Sequence, residues 1–146
     1  MLFLKQYLDT IIFGVLGIMS FLMLSFVIER YIYYLRINIK DFQHPDHLNI
    51  ALTRHLTIIS TIGSNAPYVG LLGTVIGIML TFYDMGQGGK VDVQSIMTGL
   101  SLALKATAAG LFVAIPSIMF YNMLLRKVDV ISAKWREYKD QKRLSL

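Results

Sequence analysis

The sequence predicts an all-α integral membrane protein with three transmembrane helices, and this prediction depends on composition and charge distribution. Of the 146 residues, 55% are hydrophobic and only 16% are charged, against about 25% charged residues in an average soluble protein. Three long stretches, 10–28, 55–83 and 106–125, contain no Asp, Glu, Lys or Arg. A helix needs about 20 apolar residues to cross the hydrocarbon core, so each stretch is a candidate span.

The first stretch is expected to be a retained signal anchor. It is longer than the apolar core of a cleaved signal peptide, and no small-residue cleavage pattern follows it before Glu29. We expect one membrane domain over 1–146, with spans at about 10–28, 58–83 and 97–125. A short loop at 29–57 and a basic tail at 126–146 complete it, so that long helices extend beyond the bilayer.

The basic residues predict the orientation of the spans. With three spans, the loop 29–57 and the tail share one side of the membrane, and together they carry eleven Lys and Arg residues. The other side carries Lys5 and Lys90. Because cytoplasmic loops are enriched in Lys and Arg, loop and tail are predicted to be cytoplasmic, with the N-terminus and the loop 84–95 outside.

Two helices are expected on the cytoplasmic side. One begins at Pro45 and aligns Leu48, Leu52 and Leu56, and it could run into the second span. In the tail, an apolar stripe is formed by Val128, Ile131, Trp135 and Tyr138. This stripe has two interpretations: a helix lying on anionic lipid, or a continuation of the third span that packs on copies of itself.

Small residues recur at helical spacing in the second and third spans. The two stripes are Gly63, Pro67, Gly70, Thr74, Gly77 and Thr81, and Ala103, Thr107, Gly110, Ala114, Ser117 and Tyr121. Such stripes mark close helix contacts, and Gly73 with Gly77 forms a small-xxx-small pair. The alternative is that they line a lumen shared by several copies. Pro67 and Pro116 are each expected to bend their helix, because each removes a backbone hydrogen bond.

Ionisable residues are scarce in the predicted membrane core. Asp9, Glu29, Asp84 and Asp92 are expected at the ends of the spans. A proton path through a membrane needs a titratable group, so a partner must supply the carboxylate if this protein works in ion flow. Lys105 would lie about 32 Å from Arg126 along a helix, where it could snorkel into water. A deeper Lys105 would instead need a carboxylate or carbonyl partner.

Other chemistry is not indicated. Cysteine is absent, which excludes thiolate chemistry and disulfides. His44 and His47 lack further metal ligands nearby, and the glycine-rich segment 86–90 lacks P-loop spacing and predicts a turn. No nucleophile–base pair or nucleic-acid module is recognisable, so we expect neither an enzyme nor a cofactor.

Two sequence runs resemble the ExbB/TolQ/MotA proton-channel family: APYVGLLGTVIGIM at 66–79 and GLSLALKATAAGLFVAIP at 99–116, followed by Tyr121-Asn122. Ile28-Glu29-Arg30, at the cytoplasmic end of the first span, resembles the ExbB branch. The resemblance implies an inner-membrane ring, a homopentamer, around an ExbD- or TolR-like single-span partner whose membrane aspartate carries the proton. It implies that Thr74 and Thr107 face the lumen, and that the ExbB branch drives TonB and thus outer-membrane uptake of iron chelates and cobalamin.

The sequence also departs from the family pattern. Many members have a glutamate three residues after the glycine that matches Gly99, but this position is Leu102 here, and Lys105 stands where an apolar residue is usual. The cytoplasmic loop is short, and three spans disfavour a MotA-type flagellar stator. A TolQ-like subunit and a passive membrane scaffold, whose stripes only pack helices, remain alternatives.

Overall fold

The computed structural model describes residues 2–88 and 92–146, and this part of the chain is all helical. The helices are α1 (Leu2–Arg36), α2 (Pro45–Thr53), α3 (Leu56–Gly86) and α4 (Val93–Leu144), with one turn of 3₁₀ helix at Ile39–Asp41. Helices α1, α3 and α4 are each long and apolar enough to cross a membrane, so the three predicted candidate spans are confirmed. Lys90 and the end of the predicted turn at 86–90 lie outside the described residues.

The α2–α3 junction contradicts one expectation. Helix α2 begins at Pro45, as predicted, but ends at Thr53 instead of running into the second span. His55 adopts a left-handed conformation with a φ of 68°, and this interrupts the helical path before α3 begins at Leu56. Leu48, Leu52 and Leu56 are all buried, so the predicted apolar stripe is confirmed although the helix breaks within it.

Helix α4 decides between the interpretations of the basic tail. Its 52 residues span about 78 Å, more than twice the ~30 Å hydrocarbon core. The tail therefore continues the third span, and a separate helix lying on lipid is wrong. Val128 and Trp135 are buried within the chain's own core, whereas Ile131 and Tyr138 are partly exposed, so packing of the stripe on copies stays a prediction. The Trp135 indole Nε1–H donates to the Phe42 carbonyl at 3.0 Å.

The helices pack around two apolar clusters. A small cluster at the middle of the long helices joins Ile12 and Leu16 of α1 to Ala66, Ala106 and Ala114. A larger cluster lies at the end formed by residues 29–57 and 126–146, which we call the basic end. Most large apolar side chains instead point outward, and Phe112 is 81% exposed. A surface this apolar is typical of contact with lipid or with other protein subunits.

Candidate functional site

The two small-residue stripes face each other within one chain. Moving along α3, Gly63 lies beside Ser117, Gly70 beside Gly110, and Gly77 beside Ala103. The order of these partners shows that α3 and α4 run antiparallel. The repeated spacing of small residues in both spans therefore corresponds to one long contact between two helices of the same chain.

Gly70 and Gly110 mark the closest approach of α3 and α4. A Cβ atom built on Gly70 would lie 2.5 Å from the Ala106 carbonyl oxygen and 3.0 Å from the Gly110 Cα. The converse holds for Gly110, whose Cβ would lie 2.6 Å from the Ala66 carbonyl oxygen. Since the obstructing atoms are backbone, only glycine fits at these two positions without moving a helix.

Gly73 lies where all three long helices meet. A Cβ atom there would contact the Ala106 Cβ at 2.9 Å and the Ile12 Cγ1 at 3.1 Å. Ile12 belongs to α1, and the small-residue stripes of the second and third spans do not predict this contact with the first span. Ala114, one turn beyond Gly110, is buried in the same cluster as Ile12. The small residues thus allow α1 to pack against α3 and α4, and they also allow α3 and α4 to approach each other closely.

Thr74 and Thr107 form a hydroxyl pair at this contact. Thr74 is 6% exposed, and its Oγ1 donates to the Ala103 carbonyl at 2.8 Å. The Oγ1 atoms of Thr74 and Thr107 are hydrogen-bonded to each other. A hydroxyl carries a single proton, and that of Thr74 is used on Ala103, so Thr107 donates to Thr74. The remaining lone pairs of Thr107, which is only partly buried, are available as acceptors.

Lys105 lies away from the threonine pair. Its side chain is exposed, and its Nζ is 5.4 Å from the centre of the Phe13 ring on α1. Among the described residues, no carboxylate lies within ion-pair distance of Lys105. Phe13, Gly17 and Lys105 share an open groove between α1 and α4 with a volume of about 460 Å³. This position agrees with a snorkelling side chain better than with a buried ion pair.

Glu29 and Arg30 lie at the basic end of α1, beyond the uncharged stretch. Arg30 is 2% exposed, and its Nη1 donates to the Ala51 carbonyl at 2.8 Å while Nε and Nη2 donate to Glu29, each at 2.6 Å. These hydrogen bonds hold the pKa of the Glu29 carboxyl below its ordinary value. Tyr34 donates its hydroxyl to the Leu52 carbonyl at 2.5 Å. Burial raises the pKa of Tyr34 to about 12.

The prolines lie inside their helices, Pro67 in α3 and Pro116 in α4. Both helices continue through them, and the predicted bends stay a prediction. Beside Pro116, the Ser117 hydroxyl donates to the Val113 carbonyl at 2.8 Å. Within residues 2–88 and 92–146, no cluster of three or more potential metal ligands is present.

Asp9 is a candidate site residue that the sequence patterns do not mark. Because α1 begins at Leu2, Asp9 lies about two turns inside the helix, and its place at the end of a span stays a prediction. It is partly buried and lines a small cavity with Thr81 and Ala103. Polar and apolar residues are mixed around Asp9 on α1, so no periodic pattern in the sequence marks which face of α1 is buried.

Comparison with known proteins identifies the family to which the chain with this α3–α4 contact belongs. A sequence model of the MotA/TolQ/ExbB proton channel family matches residues 43–137, which include α2, α3 and the threonine pair. The chain belongs to this family. The match agrees with the resemblance of the two sequence runs at 66–79 and 99–116. Together with the three apolar helices, it makes the chain a multi-pass membrane protein and not a member of a known enzyme class.

Within the MotA/TolQ/ExbB family, the chain is similar to proteins named biopolymer transport protein ExbB. It is 60% identical to that of Helicobacter pylori strain J99 over 136 residues, 93% of this chain and 94% of the relative. It is 53% identical to that of Aquifex aeolicus strain VF5 over 131 residues, 90% of this chain and 88% of the relative. The Tol-Pal system protein TolQ of Haemophilus influenzae strain KW20 is 36% identical over 101 residues, 64% of this chain and 44% of the relative.

Proposed function

We propose that the chain is the ring subunit of an ExbB-like, proton-driven motor in the inner membrane, with a periplasmic N-terminus and a cytoplasmic C-terminus. With an ExbD-like single-span partner it would harness the proton motive force for TonB-dependent outer-membrane uptake of iron chelates and cobalamin. The observation that carries the proposal is the Thr74–Thr107 hydroxyl pair at the centre of the α3–α4 contact. Similarity to proteins named ExbB over most of the chain supports it.

The donor order of the threonine pair determines how it would meet the partner's carboxyl. Thr107 donates to Thr74 and offers its own lone pairs. A protonated carboxylic acid has an O–H that can donate to these lone pairs. An ionised carboxylate only accepts, so Thr107 must turn its hydroxyl away from Thr74 to bind it. The pair would therefore interact differently with the two protonation states, which a proton-driven device requires.

The partner is expected to approach through Thr107. Thr74 is buried and its proton is held by the Ala103 carbonyl, whereas the Thr107 side chain is partly exposed. A lumen formed by several copies, a homopentamer in our proposal, would bring the Thr107 side of each α3–α4 pair toward the axis. The outward apolar surface, with Phe112 and Tyr68 largely exposed, would contact lipid or neighbouring copies.

Two other functions make different predictions. A TolQ-like role in the Tol-Pal envelope system is supported by the similarity to the Haemophilus influenzae protein, and the identity of the co-purifying partner separates it from the ExbB-like role. A passive scaffold would use the stripes for packing alone. In that case the hydroxyl pair would have no role beyond its hydrogen bond, and removing it would leave transport unchanged.

The proposal is tested by purifying the chain together with the products of its neighbouring genes, followed by native mass spectrometry. We expect a ring of identical copies that retains a single-span protein with a membrane aspartate. A TolR-like partner together with other Tol-Pal proteins would favour the TolQ-like alternative. A monomer, or an oligomer that binds no such protein, would contradict the proposed motor.

A further inference from the structure

Asp9 is an acidic side chain about two turns into α1, directly before the uncharged stretch 10–28. Ile12, one turn further along the helix, packs against Gly73 at the centre of the three-helix contact. Lys5, one turn earlier, forms an ion pair with Asp84 of α3 at 3.3 Å. Within residues 2–88 and 92–146, the Asp9 carboxylate takes part in no hydrogen bond or ion pair. An ionisable residue that borders a membrane span, is partly buried and has no partner is a candidate functional residue.

Asp9 separates two spaces of different size. On one side is an open groove of about 680 Å³ that Lys5, Asp92 and Ser95 also line. On the other is a small cavity of about 30 Å³, which Asp9 lines together with Gly77, Thr81 and Ala103. Most of the lining of this cavity is apolar, but Lys5, Asp9 and Thr81 contribute polar side chains, and the volume admits one water molecule. Asp9 therefore borders the open groove at the end of the molecule opposite the basic end. It also borders the small cavity inside the helix contact.

The small cavity is adjacent to the threonine pair. Ala103 lines the cavity, and its carbonyl oxygen accepts the hydrogen bond from Thr74. Thr74 in turn is hydrogen-bonded to Thr107. Gly77, three residues after Thr74 on α3, forms the facing wall of the cavity. Polar groups thus follow one another from the open groove, through Asp9, to the point where the partner's carboxyl is expected.

We propose that Asp9 is a proton-relay residue of this chain, which accepts protons from the periplasmic side and passes them toward the threonine pair. This inference rests on the proposed function. A hydronium ion in the open groove transfers its proton to an Asp9 carboxylate oxygen and leaves as water. The proton then passes through a water in the small cavity to the partner's carboxylate. One O–H bond breaks and one forms at each transfer, and no electron is transferred.

Four charged groups from the three helices surround this path. Lys5 on α1 and Asp84 on α3 form an ion pair. Asp92 accepts a hydrogen bond from the Gln94 backbone N–H as the N-cap of α4, and it shares the open groove with Asp9. Lys105 lies one turn beyond Leu102, which lines both spaces. Together with Asp9, these groups are the charged side chains around the path.

The test is proton flux through the purified complex with its partner in liposomes, measured with a pH-sensitive dye and normalised to assembled complex. We expect Asp9→Asn to lower the flux at least about tenfold, a change that corresponds to 1.4 kcal/mol, and Asp9→Glu to retain most of it. Asp129→Asn is the matched control, since the same charge is lost from an exposed position on α4 at the basic end that lines neither space. It should leave the flux within about twofold of the parent protein.

The dependence of flux on periplasmic pH separates a relay from a structural role. The parent and Asp9→Glu complexes should each show a pH-dependent component of the flux, at different pH in the two proteins, that Asp9→Asn lacks. Flux through Asp9→Asn within twofold of the parent, or the same pH profile, would overturn the relay. If Asp9→Asn does not assemble, Asp9→Glu decides: a profile shifted from the parent's supports the relay, and an unshifted one overturns it. Absence of flux through the parent complex would contradict the proposed function itself.

Discussion

Replacing Gly70 with alanine tests whether the α3–α4 contact sets the geometry of the threonine pair. The added Cβ would lie 2.5 Å from the Ala106 carbonyl oxygen, against 3.4 Å or more for an ordinary contact. Both obstructing atoms nearby, the Ala106 oxygen and the Gly110 Cα, are backbone. The helices must therefore separate by about 0.9 Å near this point, because no side chain can rotate away.

The expected effect follows from that separation. Forcing extra volume into a close-packed contact costs about 1–3 kcal/mol. Thr74 lies one turn from Gly70, and its hydrogen bond to the Ala103 carbonyl is 2.8 Å long. An added 0.9 Å would bring this distance beyond the ordinary limit of about 3.0 Å for an O–H···O hydrogen bond. Loss of the bond adds about 1 kcal/mol, so Gly70→Ala should be both less stable and impaired in flux.

The assay is thermal unfolding of the purified protein in detergent, followed by the fluorescence of Trp135, its single tryptophan. We expect Gly70→Ala to lower the midpoint by several degrees, since 1 kcal/mol corresponds to about 2–8 °C. Gly14→Ala is the control, because a Cβ at Gly14 meets no atom within 4 Å. Its midpoint should be unchanged or higher. Equal midpoints and flux for Gly70→Ala and the parent would refute the packing argument.

Three further substitutions test individual side chains. Thr107→Val should leave assembly near normal but lower proton flux at least about tenfold, a 1.4 kcal/mol effect. Thr107→Ser, which keeps the hydroxyl, should retain flux. Normal flux through Thr107→Val would favour a passive scaffold. Lys105→Met should change stability by only about 0.5–1 kcal/mol, the worth of an exposed cation–π contact with Phe13, and poor assembly would reveal a buried carboxylate partner. Tyr34→Phe should cost about 1–3 kcal/mol by leaving the Leu52 carbonyl without a donor. The pKa of Tyr34 is raised to about 12, so the greater stability of the parent protein over Tyr34→Phe should disappear as pH rises from 10 to 12. Equal stability of the two proteins at every pH would contradict this role of the Tyr34 hydroxyl.

The long apolar helices could be predicted because the charge distribution alone defines them. The small-residue stripes were equally visible, since glycine, alanine and threonine contrast with the leucine and isoleucine around them. The sequence left open whether a stripe faces a lumen or another helix. The structure shows that both stripes contact each other within one chain, because the antiparallel order of Gly63, Gly70 and Gly77 on α3 matches that of their partners on α4.

Other features could not be predicted, for physical reasons. The left-handed conformation of His55 breaks the helix between α2 and α3. Histidine, unlike glycine, does not predict a left-handed residue from sequence. The tail stripe around Trp135 packs on the loop carbonyl of Phe42, a contact between residues far apart in sequence. Hydropathy predicts Asp9 at the end of a span, but it does not show which neighbouring helix a charged side chain faces.

Proton flux with and without the partner tests the central claim most directly. Liposomes should contain either the chain alone or the complex with a single-span protein that carries a membrane aspartate, at matched numbers of rings. We predict that the chain alone dissipates a pH gradient no faster than empty liposomes, because without the partner's carboxyl no group beyond Asp9 accepts the proton and the Thr74–Thr107 pair cannot store one. The complex should dissipate it, and replacing the partner's aspartate with asparagine should abolish the flux. Robust flux through the chain alone, or none through the complex, would contradict the account.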